Sequence, residues 1–205
     1  MLKRLNNYIM PISDKHKLIF IHIPKNAGTS ITNHLDMYDV GHHNWSYYAA
    51  RYPNKWREYK KISIIRNPWD RAVSCYEYAK MENSYWHSSD GKSKAGKHPD
   101  YELLKDKTFV ECLNILDSNS SVLRHHGWPN QCDYVVDRNS LMVDKIIDIQ
   151  NINEELSSLL EIPVDIPIVN MSRTKSYKDY YSTKEMVDIV GEKYKVDIEY
   201  FNFKF

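Results

Sequence analysis

The sequence predicts an α/β fold, a single domain over residues 1–205 with a central parallel sheet flanked by helices, and three observations carry that reading. Two short apolar runs rich in β-branched residues, Lys17–Ile23 and Lys61–Arg66, each stop at a proline-bearing loop. Each loop leads into residues with helical periodicity. The segment between the two strand-loop-helix units is long enough for a crossover, which parallel strands require and a hairpin does not.

The first strand, Lys17–Ile23, is closed by Pro24, and a helix is expected from near Thr29, where Ile31 and Leu35 fall four apart on one face. The second strand, Lys61–Arg66, ends at Asn67-Pro68, and Trp69–Lys80 follows as a helix with Ala72, Val73 and Tyr76 on a shared face. Residues 83–100 lack periodicity and concentrate Ser, Gly and Lys, which predicts an exposed loop long enough to serve as a lid or substrate loop. Thr108–Leu116 is apolar at helical spacing, and Asn153–Leu160 opens with a capping residue and two acids, so both are expected helices. Tyr134–Val136 and Val143–Ile149 carry strand-like patterns. Ser182 and Glu185 make a capping-box pattern ahead of Met186, Ile189 and Val190, the start of a further helix.

A chain of 205 residues can bury one substantial core, and no repeat or linker divides it. Lys and Arg number 28 against 27 Asp and Glu, which removes bulk charge as an argument for a nucleic-acid or anionic-membrane partner; any anion site must be local. There is no sustained apolar leader and no run of about 18 apolar residues, so no membrane span and a cytoplasmic location are expected. Cys75, Cys112 and Cys132 are too few and too scattered for a disulfide framework or a zinc knuckle, which leaves reduced, buried thiols.

The chemistry concentrates in two segments. Pro24–Ser30 lies between strand and helix, where backbone N–H groups and the helix dipole favour an anion. Gly28 admits close approach, Lys25 adds a positive charge, and Thr29 and Ser30 add hydroxyl donors. This is not a Walker A loop, because the lysine comes first and Gly-Thr-Ser closes the segment. Taken alone, it reads equally as a tight turn with a capping hydroxyl and a solvated lysine. In the second segment Arg66 stands at a strand end and Ser74 lies in the following helix; a guanidinium fork and a hydroxyl suit a second phosphate.

With both segments in this order, the sequence resembles the sulfotransferases that use 3′-phosphoadenosine 5′-phosphosulfate (PAPS), and it is most similar to the branch that includes the Golgi carbohydrate sulfotransferases and their bacterial relatives. Phe20–Ser30 matches that family's 5′-phosphosulfate loop and Ile65–Ser74 its 3′-phosphate segment; Gly41–His43, Trp128–Gln131, Asn170–Ser172 and Tyr194–Phe201 add weaker matches. The resemblance implies that Pro24, Lys25, Asn26, Ala27, Gly28, Thr29 and Ser30 hold the phosphosulfate, that Arg66 and Ser74 hold the 3′-phosphate, and that Ser172, Arg173 and Tyr177 close on the nucleotide. Gln150 departs from the family, whose members often carry glutamate soon after the late strand.

The resemblance further implies in-line attack of an acceptor hydroxyl, on a saccharide in the branch it is most similar to, on sulfur, with the nucleotide bisphosphate PAP leaving. Lys25 and the amides of residues 28–30 would meet the charge that grows on the bridging oxygen. The expected base is a histidine, His43 ahead of His42, against the alternative that either one packs or caps. No acid follows the second strand as a Walker B aspartate would, so the pattern requires no metal. The histidines of His125–Cys132 follow no standard metal-ligand spacing, and His22 reads as a core histidine. Trp128 and Gln131 either line the acceptor cleft or pack in the core. For a bacterial or viral enzyme, the expected acceptor set is a cytoplasmic saccharide, a glycolipid precursor or a small metabolite. Two other functions compete: a P-loop kinase or nucleotide hydrolase, and a non-catalytic nucleotide- or carbohydrate-binding protein.

Overall fold

The computed structural model describes residues 11–35, 37, 41–82, 96–166 and 175–205. In chain order its elements are β1 (Ile12–Ser13), β2 (Leu18–Ile21), α1 (Gly28–His34), α2 (Trp45–Arg51), α3 (Pro53–Glu58), β3 (Lys60–Ile65), α4 (Pro68–Ala79), α5 (Tyr101–Leu104), α6 (Phe109–Ser118), α7 (Cys132–Val135), β4 (Val136–Asp137), β5 (Ser140–Leu141), β6 (Lys145–Asp148), α8 (Ile152–Leu160), α9 (Lys184–Lys193) and α10 (Lys195–Phe201). They form two compact units, each assembled from two stretches of chain: residues 1–65 with 133–169, and residues 66–132 with 170–205.

The first unit holds a four-stranded sheet, in the order β1-β2-β3-β6, and an antiparallel pair, β4-β5. β2, β3 and β6 run parallel, with Phe20 opposite Ile62 and Ile64 opposite Ile147, so the α/β expectation is met. β1 is an antiparallel edge that the sequence pattern did not signal, since two residues are too short to show alternation. Leu18, Phe20, Ile62, Ile64 and Ile147 share one core with Ile31 from α1, with Leu35 that ends it, and with Ile152 and Leu156 from α8. Ile19 and Ile21, on the opposite face of β2, are buried as well, which is why the strands read as unbroken apolar runs. Ser63, the polar residue of β3, donates its hydroxyl to the Ile21 carbonyl at 2.8 Å.

The second unit is helical. Trp69, Ala72, Val73 and Tyr76 of α4 pack with Phe109, Cys112, Leu113 and Leu116 of α6 and with Met186 and Val190 of α9. Asn67 caps α4 by accepting from the Trp69 and Asp70 amides, and Pro68 at the first helical position gives up an N–H that would have had no partner. Thr108 and Glu111 form a reciprocal capping box on α6.

Four expectations need correction. Tyr134 and Val135 belong to α7 rather than to a strand; the Gln131 and Cys132 amides, where this turn begins, are bonded to the Asp197 carboxylate, a partner far along the chain. The cap of α9 is Thr183, not Ser182, with its side chain accepting from the Met186 amide. α8 starts at Ile152, so Asn153 is inside the helix, where its side chain accepts from the Ile166 amide. In the expected exposed loop 83–100, Gly96 and Lys97 are exposed but His98 and Asp100 are buried: Asp100 accepts from the Arg124 and His125 amides and from the Trp128 indole at 2.9 Å. Residues 83–95 of that loop lie outside the described residues.

Candidate active site

In the first unit, Pro24–Ser30 joins β2 to α1. Lys25 and Ala27 both adopt left-handed backbone conformations, at φ 70° and 59°. A non-glycine residue held there stores about 1–3 kcal/mol of strain, and such strain collects at ligand clamps. Alternation of this kind turns successive N–H groups into an anion-binding concavity. Asn26 holds the loop in that shape: its fully buried side chain donates to the Ile64 carbonyl of β3 at 2.7 Å. Asn26 therefore serves the loop through this anchor, with its side chain turned into the sheet.

α1 begins at Gly28 with no side-chain cap and no acid in its first turn. Its opening amides are thus matched to an external anion in sign and direction. Thr29 is half-buried and Ser30 buried, while Thr32 bonds back to the Gly28 and Thr29 carbonyls at 3.0 and 3.2 Å. Gly28 is required for a reason beyond ligand approach. A Cβ at this position would lie 1.7 Å from Nε2 of His22, so the loop's backbone rests directly on that imidazole.

His22 is buried at 4 % exposure and stacks on Phe20, as expected of a core histidine. It also meets His42, ring to ring at 4.2 Å, with His42 Nδ1 at 3.1 Å from the His22 carbonyl. A carbonyl only accepts, so Nδ1 of His42 carries the proton and Nε2 is the ring's basic nitrogen. Loop, His22 and His42 form one continuous contact. His43 differs: it stacks on Tyr47 of α2 at 3.9 Å and approaches Tyr48 edge-on. Gly41, at φ 124°, takes a backbone shape closed to other residues and sets up the turn into this pair.

In the second unit, Arg66 meets Asp70 through two parallel bonds, Nε to Oδ2 at 2.9 Å and the terminal nitrogen to Oδ1 at 3.0 Å. The pair is mostly shielded from water, with side chains 15 % and 14 % exposed. Ser74 is buried on α4 at the end of its second turn. Gln131 is fully buried, and its carboxamide accepts from the Arg66 amide and donates to the Arg66 carbonyl, both at 2.9 Å. Trp128 lies in the helical core with its indole on Asp100. Of the two roles open to Trp128 and Gln131, packing is therefore the one their burial supports. Tyr177 is half-buried, with its ring against Phe205. Ser172 and Arg173 lie outside the described residues.

Sequence reasoning missed Asp70, Gln131 as a backbone clamp, Asp197 behind it, and the seat that the core histidine His22 gives the loop at Gly28. Only Asp70 had a local signal, its helical i,i+4 spacing from Arg66. Among the described residues no group of three or more His, Cys, Asp or Glu is arranged to hold a metal ion, and no helix is long and apolar enough to cross a membrane.

The model of one protein family, described as the sulfotransferase family, matches residues 9–204. No curated protein and no solved structure matches the chain.

Proposed function

This chain belongs to the sulfotransferase family and transfers sulfuryl groups, and we propose that its donor is PAPS and its acceptor a hydroxyl, on a carbohydrate or glycolipid. In this reading residues 1–205 act as one sulfotransferase domain. The observation that carries the reading is the strained loop Lys25–Gly28, bolted by Asn26 to β3 and seated on His22, opening into an uncapped helix start. Such a donor set fits a phosphosulfate: a lysine charge, convergent amides and two hydroxyls, with no carboxylate in the first turn.

PAPS supplies an electrophilic sulfur with phosphate as leaving group. The acceptor oxygen forms its bond to sulfur as the bond from sulfur to the bridging phosphate oxygen breaks. Lys25 and the amides of residues 28–30 stabilise the charge developing on that oxygen. Nε2 of His42 takes the hydroxyl proton, and the bond from Nδ1 to the His22 carbonyl holds the tautomer that leaves Nε2 basic. His42's contact with the residue under the loop favours it as base over His43. Arg66 and Ser74 are proposed for the 3′-phosphate, with Asp70 aligning the guanidinium. Ser172, Arg173 and Tyr177 are proposed to close on the nucleotide.

The test is incubation of the protein with PAPS and a panel of oligosaccharides, glycolipids and phenols. Release of PAP that depends on a saccharide supports the carbohydrate reading; release with phenols alone replaces it.

A further inference from the structure

At the end of β3 the Arg66 backbone is held by a side chain rather than by a strand. The Gln131 carboxamide accepts from the Arg66 N–H and donates to the Arg66 C=O, both at 2.9 Å, as a neighbouring strand would. A side chain can replace a strand only if its own root is fixed, and here it is. The Gln131 and Cys132 amides donate to the two oxygens of Asp197, at 2.7 and 2.8 Å, and both Gln131 and Asp197 are fully buried. On the other flank Arg71, buried in α4, donates to the Pro129 carbonyl at 2.9 Å, and the Cys75 thiol donates to the Gly127 carbonyl. The segment 127–132 is thus tied to α4 and α10, and its end fixes the backbone from which the Arg66 guanidinium projects.

We infer that Gln131, anchored by Asp197, is a positioning residue for recognition of the nucleotide's 3′-phosphate: it sets the Arg66 backbone while Asp70 sets the fork. The inference rests on the reading that Arg66 binds the 3′-phosphate. A planar guanidinium rewards alignment more than a point charge does, so a shift in its root costs phosphate affinity directly. Neither Gln131 nor Asp197 touches the nucleotide in this account.

Calorimetric titration with PAP and with AMP, which lacks the 3′-phosphate, separates the outcomes. Wild-type protein should bind PAP more tightly than AMP, and Arg66→Lys should lose much of that preference. Equal binding of both nucleotides by the wild type sinks the reading of Arg66 itself. Gln131→Met, which keeps the volume and removes both bonds, should weaken PAP by about 10-fold or more while AMP stays within about 2-fold. Gln131→Glu, which keeps the acceptor for the Arg66 amide, should fall between wild type and Gln131→Met. A merely structural residue would lower the affinity for both nucleotides together. If wild type and Arg66→Lys behave as stated but Gln131→Met keeps the full preference for PAP, the positioning role is wrong and the Arg66 reading stands. Loss of folding in both Gln131 variants also overturns it, since the clamp would then serve the fold rather than the site.

Discussion

Gly28 lies so close to His22 that the smallest side chain at position 28 would overlap the imidazole, at 1.7 Å from Nε2. The anion loop is therefore built on a histidine, and the same histidine carries His42 on its carbonyl. This contact links the part of the site that would hold the donor to the group proposed to take the acceptor's proton.

Gly28→Ala should destabilise the protein by about 1–3 kcal/mol through overpacking, although alanine is otherwise favoured in a helix. His22→Ala removes the obstructing ring, so the double variant should be less destabilised than the sum of the singles, by about 0.5–3 kcal/mol. Chemical denaturation of the four proteins measures the coupling. Strict additivity would mean that the two residues do not share the contact.

His42→Ala should lower transfer by about 10² to 10⁴-fold and leave PAP affinity nearly unchanged, as removal of a general base does. His43→Ala, which loses a stack on Tyr47, should cost much less turnover and show its effect in stability. Steady-state rates beside nucleotide titrations distinguish the two; the reverse ranking would move the base to His43.

Arg66→Ala should weaken PAP binding by about 2 to 4 kcal/mol, with little change for AMP. The same difference should appear without mutation as a larger rise in Tm on adding PAP than on adding AMP. Matching losses for both nucleotides would assign Arg66 to the fold, through its pair with Asp70.

Stability should fall on the alkaline side. Burial, then the neighbouring Cys75 and Asp100, pushes the Cys112 thiol up to about 12, and burial raises the Tyr181 and Tyr194 hydroxyls as well. In the unfolded chain a thiol titrates near about 8.5 and a phenol near about 10. Above those values the unfolded state releases protons that the folded state retains, so the unfolded state gains as pH rises. The Tm should hold up to about pH 8.5 and then decline, and native Cys112 should resist alkylation at pH 8. A Tm that holds through pH 10, with rapid alkylation, would contradict the buried, protonated thiol.

How much was legible in the sequence follows from how far apart the partners lie. The β2 and β3 strands, the loop between β2 and α1, and α4 were readable because each is written in adjacent residues, from Lys25 and Gly28 to Asn67-Pro68. The Asp197 carboxylate that organises Gln131 lies 66 residues away, and Asp100 meets the Trp128 indole across 28. Neither bond leaves a periodic trace. For that reason a turn of helix at Tyr134 read as strand, and a buried carboxylate at Asp100 read as the end of an exposed loop. Gln131 read equally as a substrate contact or as core packing because a polar side chain carries no mark of its burial.

The most direct measurement is the fate of sulfur label from PAPS, followed in acceptor and nucleotide together, for wild type and Lys25→Ala. The account predicts label in a saccharide with one PAP released per sulfuryl group transferred, and a loss of about 10²-fold or more in Lys25→Ala, which should still fold. Transfer to no acceptor, or an undiminished rate in Lys25→Ala, would contradict it.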